Sequence, residues 1–396
     1  GREESLVLRD PIADYLQDSL EPYLADLHEV VSIDSGTHSK AGVDAVGRVV
    51  ESRLLDLGCE VERIPHDVYG DSLVARLRGS GSAKLVMVAH MDTVYPDGTA
   101  ERRPFHIAGD RAYGPGTSDM KNGLLAGLYV MRALEATAQL PFRELVYFLN
   151  PDEEVGSPIS ASEIDGECRD ATAAFVLESA RQDGSVVVAR KGVGDYKVLV
   201  HGRSSHAGVD PESGRSAIHE LAHKIVALTQ LNGLSEGTTV NVGVVQGGTR
   251  PNVVADFAMC QVDIRVATMD DYVQLDSELR RLLSMPTIPG TSIKVESDHC
   301  FPPMERNERN MGLFELARQV ASGLGLELRG TATGGGSDAN HISALGIPVL
   351  DGLGPIGKGA HSSEENLYIP SVVERGTLLG HLIAEVGRRG GTIPPG

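Results

Sequence analysis

The chain has 396 residues, too many for one ordinary core, so two domains are expected. Hydrophobic residues make up 41% of it and charged residues 23%, a globular composition, and no apolar run reaches the roughly 18 residues of a membrane-spanning helix. The net charge of -19 argues against nucleic acid and against anionic membrane surfaces as partners. Any anionic substrate must therefore be held by local positive charge, bound metal included. Asp10-Pro11 opens a helix, with a capping residue before a proline at the first helical position. Helical spacing of apolar residues continues to Val31, with a kink expected at Pro22. A second helix is expected from about Lys40 to Leu57, stopped by Gly58. Short strands follow near Glu60 to Ile64, Ser72 to Leu77 and Leu85 to Ala89. The last of these is apolar throughout, as suits a strand covered on both faces, and it delivers His90.

A glycine-rich loop, R-A-Y-G-P-G-T-S-D-M-K-N-G from Arg111, carries Asp119 into a helix expected from Lys121 to about Leu140. The apolar run Leu145 to Leu149 ends in N-P-D-E-E-V-G from Asn150, and Ala173 to Leu177 delivers Glu178. From Lys191 the pattern changes to strand 195–201, helix 216–231, strands 238–245 and 257–266, helix 270–285 and strand 292–295. That βαββαβ order is ferredoxin-like. A helix at 310–323, strand-like 326–328, the T-G-G-G-S-D-A stretch from Thr333, a short strand at 349–351 and a helix from Pro370 to about Arg388 complete the chain. The expected architecture is an α/β catalytic core of mixed sheet flanked by helices, made of 1–190 and 302–396, with a compact ferredoxin-like domain inserted at 191–301.

Asp152, Glu153 and Glu154 end a buried strand with adjacent carboxylates, which repel one another and resist desolvation unless cations sit among them. Taken singly, each acidic or histidine residue here has an ordinary explanation. His90 could be a satisfied histidine at a core edge, Asp119 a helix cap, Glu178 a solvated carboxylate and His361 a loop histidine. The informative fact is that they fall at strand ends and strand-following loops, where open α/β sheets hold their ligands. A histidine with Asp92 two residues on can bind a metal through one ring nitrogen while the aspartate holds the other. Nitrogen and oxygen ligands without thiolate suit zinc, manganese or cobalt. Two divalent ions would leave residual positive charge to bind and ionise a water. Competing signatures are missing: there is no G-x-x-x-x-G-K-[ST] and no G-x-S-x-G, and Gly114-Pro115-Gly116 lacks the third glycine of a dinucleotide loop.

These residues, in H-M-D-T-V, Y-G-P-G-T-S-D-M-K-N-G, D-E-E-V-G-S, L-E-S, S-H-A-G, T-G-G-G-S-D-A and A-H-S, give the chain a resemblance to M20-family metallopeptidases. In pattern it is similar to the glutamate carboxypeptidase (carboxypeptidase G2-like) group, in the family's motif order over nearly the whole chain. The resemblance implies two zinc ions about 3.5 Å apart, with Asp119 bridging, Glu154 and His361 on one ion and His90 and Glu178 on the other. Glu153 would be the general base and Asp92 would orient His90. The inserted domain would be a lid and dimerisation domain whose His206 completes the partner subunit's site in a homodimer. Asn252, Arg265 and Gly335 would lie near the substrate. Met120 stands where some relatives carry a second acidic residue, and Cys300-Phe301-Pro302-Pro303-Met304 stands where glutamate-preferring relatives place basic ones, so an apolar side-chain pocket is an equal expectation.

The expected function is hydrolysis of the amide bond of a small N-acyl or N-peptidyl amino acid with a free carboxylate. The alternatives are an N-deacylase or aminopeptidase of the same family and an inactive binding protein on this scaffold. Cys59, Cys168, Cys260 and Cys300 form no C-x-x-C pair and read as free thiols. A reducing, cytoplasmic location is expected from them, with a processed or trimmed N-terminus left open because Gly1 is not a native start.

Overall fold

A computed structural model describes residues 10–297 and 300–396 of the chain. It divides into two compact units. The larger comprises the described chain up to Val188 together with Arg306–Ala332 and Ser337–Gly396; the smaller comprises Ala189–Glu305 and Thr333–Gly336.

The larger unit is built on a mixed sheet in the order Glu60–Ile64, Ser72–Arg78, Glu144–Asn150, Lys84–His90, Ala173–Val176, Val349–Leu350. The first two pairings are antiparallel and the remaining three parallel. Every residue of Lys84–His90 and of Glu144–Asn150 is buried, which is why both read as unbroken apolar runs rather than alternating ones. Helices Lys121–Ala136 and Ser371–Arg388 supply much of the core that covers them, through Leu124, Leu128, Met131, Leu379, Leu382 and Ile383. Because the central strands run parallel and in register, with His90 opposite Asn150, their carboxyl ends open on one edge of the sheet.

A second sheet in this unit has five short strands, His106–Ala108, Arg111–Tyr113, Asn366–Tyr368, Gly354–Lys358 and Ser179–Ala180. Sequence patterning does not single these strands out, because each is too short to carry a periodic signal. Several expected boundaries also move. The first helical stretch is two helices, Pro11–Asp18 and Leu20–Val31, broken at Ser19 and not at Pro22. Pro22 instead sits in the first turn of the second helix, where its missing N–H costs nothing. The Lys121 helix ends at Ala136, before Ala138 with φ +54°, instead of reaching Leu140. The strand expected at 326–328 lies later, at Gly330–Thr333.

The smaller unit is a four-stranded antiparallel sheet in the order Thr239–Gly247, Phe257–Val266, Gly192–His201, Ser292–Ser297. Helices Ala217–Thr229 and Met269–Ser284 pack on it through Leu221, Leu228, Leu275 and Leu279 against Tyr196, Val198, Val200 and Ile264. The alternating burial of Gly192–His201 is the signature of a sheet with one covered face. The element order and strand order are those of a ferredoxin-like unit. Cys59, Cys168, Cys260 and Cys300 are free thiols. Among the described residues no helix is long and apolar enough to cross a membrane.

Candidate metal centre

The carboxyl edge of the large sheet gathers His90, Asp92, Asp119, Glu153, Glu154, Glu178 and His361. His90 ends its strand almost fully buried, and its Nε2 lies 3.1 Å from Asp119 Oδ1, 3.3 Å from Glu178 Oε1 and 3.5 Å from Glu153 Oε2. Its other nitrogen, Nδ1, is 2.9 Å from the Asp92 carbonyl oxygen and 3.2 Å from Asp92 Oδ1. Those acceptors require a proton on Nδ1, which leaves Nε2 free to ligate. His361 stands in the loop between Gly354–Lys358 and Asn366–Tyr368, with Nε2 2.9 Å from Asp119 Oδ2 and 3.4 Å from Glu154 Oε2. Asp119 thus presents one oxygen to each imidazole. The peptide bond that follows it, to Met120, is cis.

Asp92 has a second role that its sequence position did not announce. Its Oδ1 accepts from the Glu153 N–H at 3.2 Å and its Oδ2 from the Glu154 N–H at 3.1 Å and from Thr37 Oγ1 at 2.6 Å. One buried carboxylate therefore orients His90 and fixes the backbone that carries the two glutamates. Asp152, the third acid of that run, does not join the cluster. It turns back to accept from the Ile159 N–H at 2.9 Å and from Ser160 Oγ at 2.5 Å. Asn150, Ser157 and Asp338 anchor the far side of the same loop: Asn150 Nδ2 donates to Asp338 Oδ2 at 2.7 Å and Ser157 Oγ to Asp338 Oδ1 at 2.6 Å. Sequence reasoning passed over Asp338, because an acid inside T-G-G-G-S-D-A looks like a helix cap.

Burial pushes the Glu153 carboxyl well above the usual range; Glu178, Asp338 and Glu154 add to this and His90 opposes it. Burial likewise raises Glu154, against a hydrogen bond from His361, and raises Glu178 to about 7. Burial also works to raise Asp119, but hydrogen bonds from His361 and His90 prevail and hold it below the usual range. Its contacts with Asp119 and then Glu154 raise His361 to about 10. Burial alone would lower His90, yet Glu153, Glu178 and Asp119 lift it well above its ordinary value. The imidazoles are thus drawn toward the charged form by the surrounding carboxylates, and divalent cations binding at the same atoms would displace protons.

The donor set fits such cations. Three groups, His90/Asp119/Glu178, His90/Glu153/Glu154 and Asp119/Glu154/His361, each offer ligand atoms within 4.8 Å of one another. Glu154 Oε1 is buried with no hydrogen-bond partner, an orphan acceptor that a cation would satisfy. The groups overlap through His90, Asp119 and Glu154, as expected where ions share ligands.

His206, Asn252, Arg265 and Gly335 lie in the smaller unit. His206 and Asn252 are exposed. His206 Nδ1 accepts from the N–H groups of Gly208 and Val209 at 3.1 and 3.2 Å, which places its ring proton on Nε2. Arg265 already holds a carboxylate: Nε and Nη2 reach Asp263 at 3.0 and 2.9 Å, and Nη1 is 3.4 Å from the Gly334 carbonyl oxygen.

The model of the peptidase family M20/M25/M40 matches residues 86–385. The chain belongs to this family and is a metallopeptidase-type hydrolase. Carboxypeptidase G2 of Pseudomonas sp. (strain RS-16) is 29% identical over 369 residues, 91% of this chain and 88% of that protein. Among solved structures, aminopeptidase PepT from Bacillus cereus ATCC 10987 superposes with a TM-score of 0.78 at 26% identity, covering 93% of this chain and 98% of that one. The fold is shared with the YXEP protein of Bacillus subtilis, described as a dinuclear metal binding peptidase, at a TM-score of 0.70, 13% identity and coverage of 93% and 99%.

Proposed function

We propose that the chain is a two-metal amide hydrolase that releases an amino acid with a free carboxylate from small N-acyl or N-peptidyl amino acids. The observation that carries this reading is Asp119, with one oxygen beside His90 and the other beside His361. His90, Glu178 and Asp119 would hold one divalent ion, and Asp119, Glu154 and His361 the other; zinc suits the donors, as do manganese and cobalt. Such ions supply the positive charge that polarises a scissile carbonyl and eases ionisation of a water.

Glu153 is the base that takes the proton of the attacking water and then hands it to the leaving amine. Burial raises its carboxyl above the usual range, the direction that favours its carrying the proton on to the leaving amine. Asp92 keeps the His90 ring in the ligating tautomer and holds Glu153 at its backbone. The inserted segment 191–301, which makes up most of the smaller unit, is the lid and dimerisation domain, and His206 reaches the active site of the partner subunit in a homodimer. With Nδ1 occupied, His206 has Nε2–H to offer the oxygen on which charge develops. Asn252, Gly335 and Arg265 contact the substrate. For Arg265 to bind the substrate carboxylate it must share its guanidinium with Asp263.

A second reading is supported by the likeness to aminopeptidase PepT: the site would then recognise a free amino terminus. The deciding experiment is hydrolysis of matched N-acyl amino acids, their amides, and free dipeptides, with metal content measured in parallel. The proposal expects the free acids to be turned over and their amides to be poor. In the same assay, Glu153→Gln should retain metal while kcat drops by roughly 10²–10⁴. Turnover that requires a free amine and ignores the carboxylate would shift the assignment to the second reading.

A further inference from the structure

We infer that Glu365 is a positioning residue for the metal centre, and that it sets the geometry of Asp119 by gripping the backbone that precedes it. This rests on the reading of Asp119 as a metal ligand. Glu365 is almost fully buried, at 1% exposure, and both its oxygens are committed. Oε1 accepts from the N–H groups of Ser118 at 3.0 Å and Asp119 at 2.8 Å. Oε2 accepts from the Gly116 N–H at 2.9 Å and from the Tyr95 hydroxyl. Three donors belong to the loop 116–119 alone, so the loop wraps one carboxylate as a backbone nest wraps an anion.

The placement follows from the second sheet of the larger unit. Asn366–Tyr368 pairs antiparallel with Arg111–Tyr113, Asn366 opposite Tyr113, so Glu365 arrives where the glycine-rich loop begins. The same short segment carries His361, whose Nε2 meets Asp119 Oδ2 at 2.9 Å. Asp119 is therefore held at its carboxylate by His361 and at its N–H by Glu365. A ligand that serves two ions tolerates little displacement, because moving it toward one ion moves it away from the other. A buried carboxylate is costly to desolvate and is stabilised here by the donors named above. Glu365 therefore does what neutral packing at that position cannot.

Size and acceptor character can be separated by two variants. Glu365→Met fills the space but leaves the N–H groups of Gly116, Ser118 and Asp119 without an acceptor. Glu365→Gln can keep its carbonyl oxygen on Ser118 and Asp119, and only its amide then faces the Gly116 N–H. Full-length protein is titrated with Zn²⁺ in competition with a chromophoric chelator, and the visible spectrum of the Co²⁺-loaded protein is recorded. Glu365→Met is expected to weaken metal binding by about 10–100-fold and to alter the Co²⁺ spectrum, as loss of a residue that orients a ligand does. Glu365→Gln is expected to lose less and to recover most of the spectrum. Wild-type affinity and spectrum in Glu365→Met would overturn the inference. Should that variant fail to fold, Glu365→Gln decides, and an affinity equal to wild type overturns it. A wild-type protein that binds neither ion with defined stoichiometry would instead refute the two-metal reading itself.

Discussion

His341 has aspartates on both sides of its ring. Nδ1 is 2.7 Å from Asp165 Oδ1 and Nε2 is 3.1 Å from Asp338 Oδ1, the carboxylate that also holds Asn150 and Ser157 around the Glu153 loop. Burial alone would lower the imidazolium, but the hydrogen bonds to Asp165 and Asp338 raise it to about 9. A folded-state value above the ordinary 6.5 stabilises the native chain fully below about pH 6.5. That contribution is lost as pH rises through about 9. Its size is on the order of 1–3 kcal/mol. Urea unfolding of wild type and His341→Gln at pH 6 and at pH 10 tests this. The variant should be less stable by that order at pH 6 and nearly equal to wild type at pH 10. An equal deficit at both values would mean that His341 acts by shape and not by charge.

At the scale of elements, the helix Lys121–Ala136 makes two close approaches through its glycines, one to Leu177 and one to Tyr147. A Cβ on Gly123 would stand 1.8 Å from the Leu177 carbonyl oxygen, and one on Gly127 would stand 2.5 Å from the Tyr147 ring. Tyr147 donates to the Leu124 carbonyl oxygen at 2.6 Å, closing the same contact. Asp119 lies two residues before this helix and Leu177 immediately precedes Glu178, so the close approach bears on the distance between two proposed ligands. Helix propensity by itself would favour alanine over glycine by about 1 kcal/mol. The backbone oxygen cannot yield as a flexible side chain could, so Gly123→Ala should cost roughly 1–3 kcal/mol in denaturant unfolding. A stabilised variant would show that the approach is looser than these contacts require.

For the molecule as a whole, the proposal places part of each site on another copy of the chain. In the smaller unit, Thr239–Gly247 is an edge strand with Val244 and Val245 40% and 61% exposed, and the neighbouring helix exposes Ile218 and Val226. An uncovered apolar edge is a surface that proteins usually pair or protect, and the proposed homodimer would do so. Glu153→Gln and His206→Ala should each be nearly inactive alone. Mixed under conditions that exchange subunits, they should recover part of the wild-type rate, since the mixed dimer holds one site with both residues intact. Exchange verified by mass, with no recovery of rate, would place His206 outside the partner's site.

Length, apolar runs and residue types by themselves pointed to two cores, to a strand at Leu85–Ala89 covered on both faces, to a buried strand at Leu145–Leu149, and to a βαββαβ unit inserted between segments of an α/β core. They also nominated His90, Asp92, Asp119, Glu153, Glu154, Glu178 and His361, because each falls at a strand end or in a loop that follows one, where open α/β sheets hold their ligands. Only the tertiary structure decided what the same acids do once packed. Asp152 and Glu153 are adjacent and chemically alike in the sequence, yet one anchors its own loop and the other faces His90. The loop donors that Glu365 receives lie 246 to 249 residues from it, and Ser157 and Asn150 lie 181 and 188 residues from Asp338, so neither pairing is visible along the chain. The strands of the second sheet were hidden because each is too short to carry a periodic pattern. A periodic pattern reports burial along one element, whereas the donors that hold a buried carboxylate are set by which distant loops the fold brings to it.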